Sequence, residues 1–360
     1  MIVSAYVFAD GVEFAPEAIG AAAQALRAGS LIGLPTETVY GLGADADNAT
    51  AVAAIFEAKG RPADHPLIVH VAAFDGGMSG VAHYAGRVPS FAQQLMSAFW
   101  PGPLTLILPR REGVGAVAAG GQNTIGLRCP AHPVAQAVLA ALRQPTADEP
   151  VVWGVAAPSA NRFGRISPTT ARPVADEFND RPELLILDGG PCEVGIESTI
   201  IDCTRGAPVL LRPGAITSEQ VAAACGRKLI SPEELELLEA QGQVAPRASG
   251  TLESHYAPNA TVRLMDAQAL QQALDLLGND VGKSAAPGKT IAIYSRVPLK
   301  SSACQIELRR MPSDAAVTAH ELFSVLREFD ALRVKLIWVE TPPDDVAWDG
   351  VRDRLQRAAA

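Results

Sequence analysis

The sequence predicts an α/β protein of two domains, and three observations support this prediction. The chain has 360 residues, which exceeds the usual limit for a single hydrophobic core. Short β-branched runs alternate with amphipathic segments over residues 1–215, a pattern typical of a largely parallel, twisted sheet covered by helices. The pattern stops over 216–259 and resumes over 260–360. We therefore expect a first domain over 1–215, a linker over 216–259 and a smaller second domain over 260–360.

In the first domain, capping residues mark the ends of several helices. The run PEAIGAAAQALRAG predicts a helix that ends at Gly29, and NATAVAAIFEAKG predicts a helix that is capped by Asn48 or Thr50 and ends at Gly60. Further helices are predicted for SFAQQLMSAFW and HPVAQAVLAAL. Strands are predicted for the apolar runs SLIGLP, PLIVHV, LTLILP, TIGLRCP, VVWGVAAPS, LLILDGG, STIIDCT and PVLLRPG.

The linker and the second domain have different compositions. Two short helical stretches, TSEQVAAACG and SPEELELLEAQ, precede VAPRASGTLESHYAPNA, which is rich in Pro, Ser, Gly and Ala and is typical of a linker. The remaining residues alternate again between strands such as KTIAIYS and VKLIWVE and helices such as AAVTAHELFSVLREFDAL. We interpret 260–360 as a compact domain with a small Rossmann-like sheet.

Composition excludes several classes of protein. The net charge of −9 argues against a protein whose main task is to hold nucleic acid on a broad basic face. Five scattered cysteines, without Cys-x-x-Cys or zinc spacing, indicate neither a disulfide framework nor a metal site. The sequence shows neither a membrane span nor a signal peptide, so we expect a cytoplasmic protein without a membrane partner.

Residues 34–70 have the composition of an anion site. Hydroxyls at Thr36 and Thr38 precede two glycines, and the pair Lys59 and Arg61 supplies a point charge and a bidentate fork suited to phosphate or carboxylate. We also expect Gly41 and Gly43 to let the backbone approach a ligand closely. The alternative for this segment is a loop, a surface helix and a solvated basic end.

Two segments resemble nucleotide-binding loops but lack their geometry. GKSAAPGKT (282–290) has five residues between Gly282 and Gly288, where a P-loop needs four, and a strand-like run follows instead of a helix. GLGADA (41–46) lacks the third glycine of a dinucleotide fingerprint. Any ATP site in this chain therefore uses a different set of donors.

A series of motifs identifies the family. The 34–70 segment is followed in order by PGPLTLIL, NTIGLRCP, AAPSANRFGRISPT, GIESTIID, LRPG and SHYAP. In that order the chain resembles the YrdC/Sua-type family, the threonylcarbamoyl-adenylate synthases of tRNA modification. The resemblance implies a YrdC-like fold for the first domain, and a reaction of ATP, L-threonine and bicarbonate or CO2 that yields threonylcarbamoyl-AMP and pyrophosphate.

The resemblance also implies site residues. Arg128 would pair with the carboxylate of threonine, in a pocket formed by Thr38, His70, Arg128, Ala157 and Ser198. The expected ATP ligands are Arg61, His65, Thr124, Ser159, Ser167, Arg212 and Tyr256. Lys59 and Arg61 would be the catalytic pair, because they would offset the charge that builds up on pyrophosphate. His65 departs from the family pattern, which has asparagine or aspartate there, so we expect an altered contact at this position.

The implied cofactor is Mg2+, which would enter with ATP and be held mostly by phosphates and water, so no protein metal site is expected. The implied partners beyond the substrates are a downstream threonylcarbamoyl transferase complex and, through a weak contact, RNA. The linker, with His255 and Tyr256, is expected to close over the nucleotide as a lid.

Other interpretations remain open at this point. The chain could be an assembly factor that binds double-stranded RNA by shape and has a vestigial pocket. It could also be a module that handles carbamoyl phosphate, although the acylphosphatase and zinc-finger segments of such proteins are absent from the sequence. Single residues have structural alternatives too: Arg128 could bridge to a surface carboxylate, and His70 could be a sheet-end histidine.

Overall fold

The computed structural model describes residues 1–9, 11–144, 151–242, 245–250, 255–277, 290–301 and 305–360. Most of the rejected P-loop-like segment, 282–289, lies outside this part of the chain. The described chain divides into two compact units. One unit comprises Met1–Phe163 and Ser167–Thr251, and the other comprises Gly164–Ile166 and Leu252–Ala360.

The first unit is built on a ten-stranded sheet, next to which the chain also forms a two-stranded hairpin. The strands of the large sheet are β1 (Ile2–Ser4), β4 (Ile32–Leu34), β5 (Gly41–Asp45), β6 (Ile68–His70), β7 (Leu104–Pro109), β8 (Thr124–Arg128), β9 (Val155–Ala156), β10 (Leu185–Asp188), β11 (Thr199–Asp202) and β12 (Val209–Arg212). The hairpin consists of β2 (Tyr6–Ala9) and β3 (Gly11–Phe14).

The strand order is β1-β10-β4-β5-β9-β6-β8-β7-β11-β12. Parallel pairing joins β1 to β10, β10 to β4, β6 to β8, and β7 to β11, and the other neighbours are antiparallel. The antiparallel pairs β4–β5 and β11–β12 follow from their short connections, because a parallel crossover needs a dozen or more residues. The antiparallel pairs β5–β9, β6–β9 and β7–β8 have no short connection. The predicted α/β sheet is confirmed, and it contains antiparallel as well as parallel neighbours.

Eight helices of the first unit are described, and the capping residues behave as the sequence predicts. They are α1 (Pro16–Arg27), α2 (Ala49–Lys59), α3 (Met78–Tyr84), α4 (Ser90–Phe99), α5 (Pro133–Arg143), α6 (Ala171–Glu177), α7 (Ser218–Cys225) and α8 (Pro232–Ala240). The side chain of Asn48, rather than Thr50, caps α2 by accepting from the backbone N–H of Ala51. Gly60 ends this helix in the left-handed conformation, with a φ of 63°.

Two apolar cores cover the two faces of the large sheet. One contains Ile19 of α1 and Val138 of α5, and the other contains Ile55 of α2 and Leu95 of α4. In β9, Val155 belongs to the first core and Ala156 belongs to the second, because successive side chains of a strand point to opposite faces of the sheet. This arrangement confirms the predicted layers of helix, sheet and helix.

The second unit has a four-stranded sheet in the order β13-β16-β14-β15, in which all neighbours are parallel. The strands are β13 (Thr261–Met265), β14 (Ile291–Ser295), β15 (Ile306–Arg310) and β16 (Leu336–Glu340). The helices are α9 (Ala267–Leu277), α10 (Ala315–Ala331) and α11 (Asp349–Ala359). The predicted small α/β domain is confirmed.

The sequence analysis missed several elements: β1 to β3, β5, α3 and α6. The strand β5 shows why, because its run GLGAD has too few β-branched residues to signal a strand. Its glycines also permit close packing between strands. A Cβ on Gly41 would lie 3.0 Å from the Cβ of Ala157, and a Cβ on Gly43 would lie 3.0 Å from Cγ1 of Val155. The close packing gives these glycines a structural role, and the expected approach to a ligand stays a prediction.

Candidate functional site

The pairing of β6, β8 and β7 in the large sheet places three polar side chains next to one another. His70 at the end of β6 pairs with Arg128 at the end of β8, and Arg128 pairs with Thr105 of β7. Paired residues on neighbouring strands point to the same face of a sheet. All three side chains are buried, so three strands deliver polar groups to one enclosed place.

Arg128 lies at the centre of this group. Its Nη1 donates to Oγ1 of Thr38 at 2.8 Å, and its Nε donates to the carbonyl oxygen of Gly102 at 3.3 Å. Its Nη2 lies 2.7 Å from Oε1 of Glu37, and both side chains are at least 94% buried. The partner of Arg128 is therefore a buried carboxylate, not the surface carboxylate that the structural alternative requires.

Glu37 is ionised in this setting. Burial raises the pKa of its carboxyl, but the charge of Arg128 and nearby N–H groups, including the backbone N–H of Ala131, outweigh burial and lower the pKa below its usual value. A buried ion pair of this kind keeps both partners charged at neutral pH. The site therefore contains a fixed cation with its counter-ion already in place.

His70 is neutral at physiological pH. Burial, helped by the positive charge of Arg128, lowers the pKa of the imidazole to about 3. Its Nδ1 is buried and has no hydrogen-bond partner among the residues that the structure describes. A buried ring nitrogen without a partner is rare, so this atom is available to a polar ligand.

Ser198 connects the polar group around Arg128 to a second polar group, which contains Arg61 and Arg212. Its hydroxyl lies 2.8 Å from Oγ1 of Thr105 and accepts from Nη2 of Arg212 at 3.1 Å. The Nε of Arg212 also donates to the carbonyl oxygen of Ser198 at 3.0 Å. Ala157, the remaining predicted pocket residue, is buried, and its backbone N–H donates to Ile68 at 3.0 Å.

Two guanidinium groups converge on one serine in the second group. Nη2 of Arg61 donates to Oγ of Ser249 at 3.3 Å, and Nη1 of Arg212 donates to its carbonyl oxygen at 2.8 Å. Ser249 belongs to the described part of the predicted linker. This segment borders a narrow cleft, which is lined by Pro66, Leu67, Ile68, Thr105, Ile107, Gln122, Thr124, Gly126, Ile200, Arg247, Ala248 and Ser249.

Lys59 is directed at backbone rather than at open space. Its Nζ donates to the carbonyl oxygen of Ser159 at 2.5 Å and to that of Asn161. Burial, together with the charge of Arg61, lowers the pKa of the Lys59 ammonium well below its usual value. Lys59 therefore connects the end of α2 to the loop that follows β9.

The other predicted ATP ligands of the first unit are His65, Thr124 and Ser167. His65 contacts the ring of Phe163 edge-on at 5.7 Å, and burial followed by the charge of Arg61 lowers the pKa of its imidazole. Thr124 lines the cleft at the start of β8. The buried hydroxyl of Ser167 donates to Glu197.

Tyr256, the last predicted ATP ligand, belongs to the second unit. Its ring is 1% exposed and packs against Phe323 at 5.4 Å, with the guanidinium of Arg354 at 5.4 Å from the ring centre. Its φ of 62° is unusual for a residue with a side chain, and such strain clusters at functional positions. Its contact with ATP stays a prediction.

Metal and thiol chemistry find no support in the described residues. Within this part of the chain, no group of three or more His, Cys, Asp or Glu side chains could hold a metal ion. The four described cysteines are free and buried, and burial raises the pKa of Cys129, beside Arg128, to about 12. The described helices also include none that is long and apolar enough to cross a membrane.

Sequence reasoning missed three buried polar residues of the site: Glu37, Thr105 and Asn161. Glu37 lies between the two threonines of the Thr36–Thr38 run, where it has the appearance of an ordinary loop glutamate. The sequence contained a weak signal for Glu37, because it is the one charged residue in the otherwise apolar and hydroxyl-bearing run LPTETVY. A charged side chain that is buried in such a run needs a partner of opposite charge.

Comparison with family models divides the chain in two. The Sua5–YciO–YrdC model, described as "Telomere recombination", matches residues 24–214. A second model, described as "Threonylcarbamoyl-AMP synthase, C-terminal domain", matches residues 216–360.

Characterised relatives match the chain over most of its length. It is 38% identical to the threonylcarbamoyl-AMP synthase of Bacillus subtilis, covering 95% of this chain and 92% of the relative. It is 36% identical to that of Pyrococcus abyssi, covering 94% of this chain and 93% of the relative. The crystal structure of P. abyssi Sua5 complexed with L-threonine matches with a TM-score of 0.82 and 34% identity, over 100% of this chain and 97% of that chain.

Proposed function

The chain belongs to the threonylcarbamoyl-AMP synthase family, and from this premise we propose that it converts L-threonine, bicarbonate or CO2 and ATP into threonylcarbamoyl-AMP and pyrophosphate. The observation that carries the proposal is the bridge formed by Ser198. It connects the buried group around Arg128 to the converging guanidinium groups of Arg61 and Arg212. One site can therefore hold a small carboxylate next to a polyphosphate.

The first subsite suits an amino acid. Arg128 would bind the carboxylate of L-threonine, while Thr38, Ser198 and the unpartnered Nδ1 of His70 would orient the remaining polar groups. Ala157 would supply an apolar wall. A small apolar contact separates threonine from serine by only about 1–3 kcal/mol, so serine should be a poorer substrate rather than an inert one.

The second subsite suits a triphosphate. Arg61 and Arg212 would exchange their contacts with Ser249 for phosphate oxygens, and Ser159, Ser167, Thr124 and His65 would add neutral donors. Lys59 would act by holding the loop that carries Ser159. Mg2+ would enter with the nucleotide and supply charge neutralisation, held by phosphates and water.

The chemistry needs no protein nucleophile. The amine of threonine adds to CO2 and loses a proton, which gives N-carboxythreonine; a carbamate oxygen then attacks the α-phosphorus, and the bond to pyrophosphate breaks. Carbamates lose CO2 readily in water, so the enclosed, arginine-rich site would act by positioning the reactants and by stabilising negative charge. The product would pass to a threonylcarbamoyl transferase complex that modifies tRNA, and we place this activity in the cytoplasm.

The test is incubation of the protein with ATP, bicarbonate and L-threonine, followed by mass spectrometry for the adenylate and measurement of pyrophosphate. Pyrophosphate release should require both threonine and bicarbonate. Equal release without threonine would exclude the proposal. An RNA-binding factor with a vestigial pocket would release none, and the family relationship and the complete set of small-ligand donors favour the synthase over that alternative.

A further inference from the structure

The ion pair between Glu37 and Arg128 has an uncommon geometry. Nη2 of Arg128 and Oε1 of Glu37 are 2.7 Å apart, which is well inside ion-pair distance. Nevertheless no contact of Nη2 or of either carboxylate oxygen has full hydrogen-bond geometry among the described residues, although Arg128 and the backbone N–H of Ala131 are close enough to lower the pKa of the carboxyl. The two groups therefore attract each other chiefly by charge, and neither N–H bond of Nη2 is well aligned with an oxygen of the glutamate.

The other nitrogens of Arg128 are already held. Nη1 donates to Thr38 and Nε donates to the carbonyl oxygen of Gly102. Among the three nitrogens of Arg128, Nη2 is the one that donates to no aligned acceptor in the described chain. Leaving buried donors without acceptors costs free energy, so this geometry is that of a group prepared for a ligand.

Glu37 is itself held in place. Its carbonyl oxygen accepts from the backbone N–H of Val194 at 2.7 Å, and its side chain is 94% buried. A buried guanidinium without a counter-ion would be strongly unfavourable in the empty pocket. Glu37 supplies this counter-ion without occupying the donors that a ligand needs.

We propose that Glu37 is a positioning residue for threonine: its carboxylate holds the guanidinium of Arg128 chiefly by charge, without an aligned hydrogen bond, and so leaves the Nη2 hydrogens to the carboxylate of the amino acid. This inference rests on the proposed function, since it takes L-threonine as the ligand of Arg128. Glu37 acts through Arg128 and has no assigned contact with the substrate.

The experiment is calorimetric titration of the full chain with L-threonine and, separately, with ATP. The variants are Glu37→Gln, Glu37→Asp, Arg128→Lys and the double variant Glu37→Gln/Arg128→Lys. The control is Glu183→Gln, because Glu183 is an exposed glutamate. The melting temperature of each protein reports whether it is folded.

We expect Glu37→Gln to weaken threonine binding roughly ten- to hundredfold, which corresponds to the loss of one charge-assisted contact. ATP affinity should change less than threefold, and Glu183→Gln should match the wild type. Glu37→Asp keeps the charge but moves it by one methylene, so it should lose about three- to tenfold and provides the test if Glu37→Gln does not fold. The double variant should bind threonine no more weakly than Arg128→Lys alone, because Glu37 acts through Arg128.

Three results would overturn the inference. Unchanged or tighter threonine binding in both Glu37 variants would mean that the glutamate competes with the substrate for Arg128. Parallel losses of threonine and ATP affinity would mean that its role is only structural. Additive losses in the double variant would mean that Glu37 acts on the ligand by another route. Failure of the proposed function would be distinct, because the wild type itself would then not bind threonine.

Discussion

The ammonium group of Lys59 lies 2.5 Å from the carbonyl oxygen of Ser159, on a loop 100 residues away in sequence. A second contact, to the carbonyl oxygen of Asn161, fixes the same loop. Lysine suits this place because its compact ammonium can donate to several carbonyl oxygens at once, whereas the planar fork of arginine matches carboxylates and phosphates.

Replacing Lys59 with methionine should therefore impair ATP use through the loop. We expect adenylate formation to fall at least about tenfold, because a buried loop loses two hydrogen bonds from one donor. Pyrophosphate release and ATP titration measure this effect. Lys228→Met, at an exposed lysine, is the matched control. Unchanged ATP affinity and turnover in Lys59→Met would show that the loop does not need this contact.

The two subsites should respond to different arginines. Arg128→Ala should weaken threonine binding roughly ten- to hundredfold and spare ATP, because it removes the fork that faces the carboxylate. Arg61→Ala should weaken ATP binding or slow adenylate formation and spare threonine. Titration of both ligands decides this, with Arg172→Ala, an exposed helix residue, as the control. The reverse pattern would exchange our two subsite assignments.

The burial of His70 predicts a pH-dependent stability. In the unfolded chain the imidazole has its ordinary pKa of 6.5 and takes up a proton below that pH, whereas in the folded protein burial lowers its pKa to about 3. The unfolded state therefore binds more protons between these values, and stability falls as the pH decreases through this window.

His70→Gln removes this contribution. The free energy of unfolding of the wild type, relative to that of His70→Gln, should decrease by about 1.4 kcal/mol for each pH unit below 6.5 and stay constant above pH ~7.5. Urea denaturation at pH 8.0, 6.5 and 5.5 measures the difference. A difference that does not change with pH would mean that the folded protein accommodates a charged His70.

The linker should close over the substrates. Ser249 contacts both Arg61 and Arg212, and Gln122 accepts from the backbone N–H of Arg247 at 2.8 Å. Residues 243–244 and 251–254 of the predicted lid lie outside the described residues. Over 245–250 and 255–259, protection from hydrogen exchange should rise when ATP and threonine are added together, because the lid would exclude water from the carbamate. Truncation after Gly214 should leave adenylate synthesis strongly impaired. Unchanged exchange and normal activity of the truncated chain would reduce the segment to a connector.

Local sequence signals predicted most of the helices and most of the strands correctly. The end of α2 is an example, because Asn48 and Gly60 determine its limits through contacts within a few residues. The strand β5 was missed because its glycines are explained only by the strands that pack beside them. Short-range periodicity and capping can be read from the sequence, whereas packing between distant segments cannot.

The sequence by itself determined the α/β class, the two-domain order and the motif series that identifies the family, because each depends on residue types in a linear pattern. Only the tertiary structure decided that Arg128 pairs with Glu37 and that Lys59 faces carbonyl oxygens. Thr38 and Arg128 are 90 residues apart, and their side chains meet although three strands separate β4 from β8 in the sheet. Whether a charged side chain is solvated or buried depends on such long-range pairing, and a buried charge takes the partner that the fold supplies.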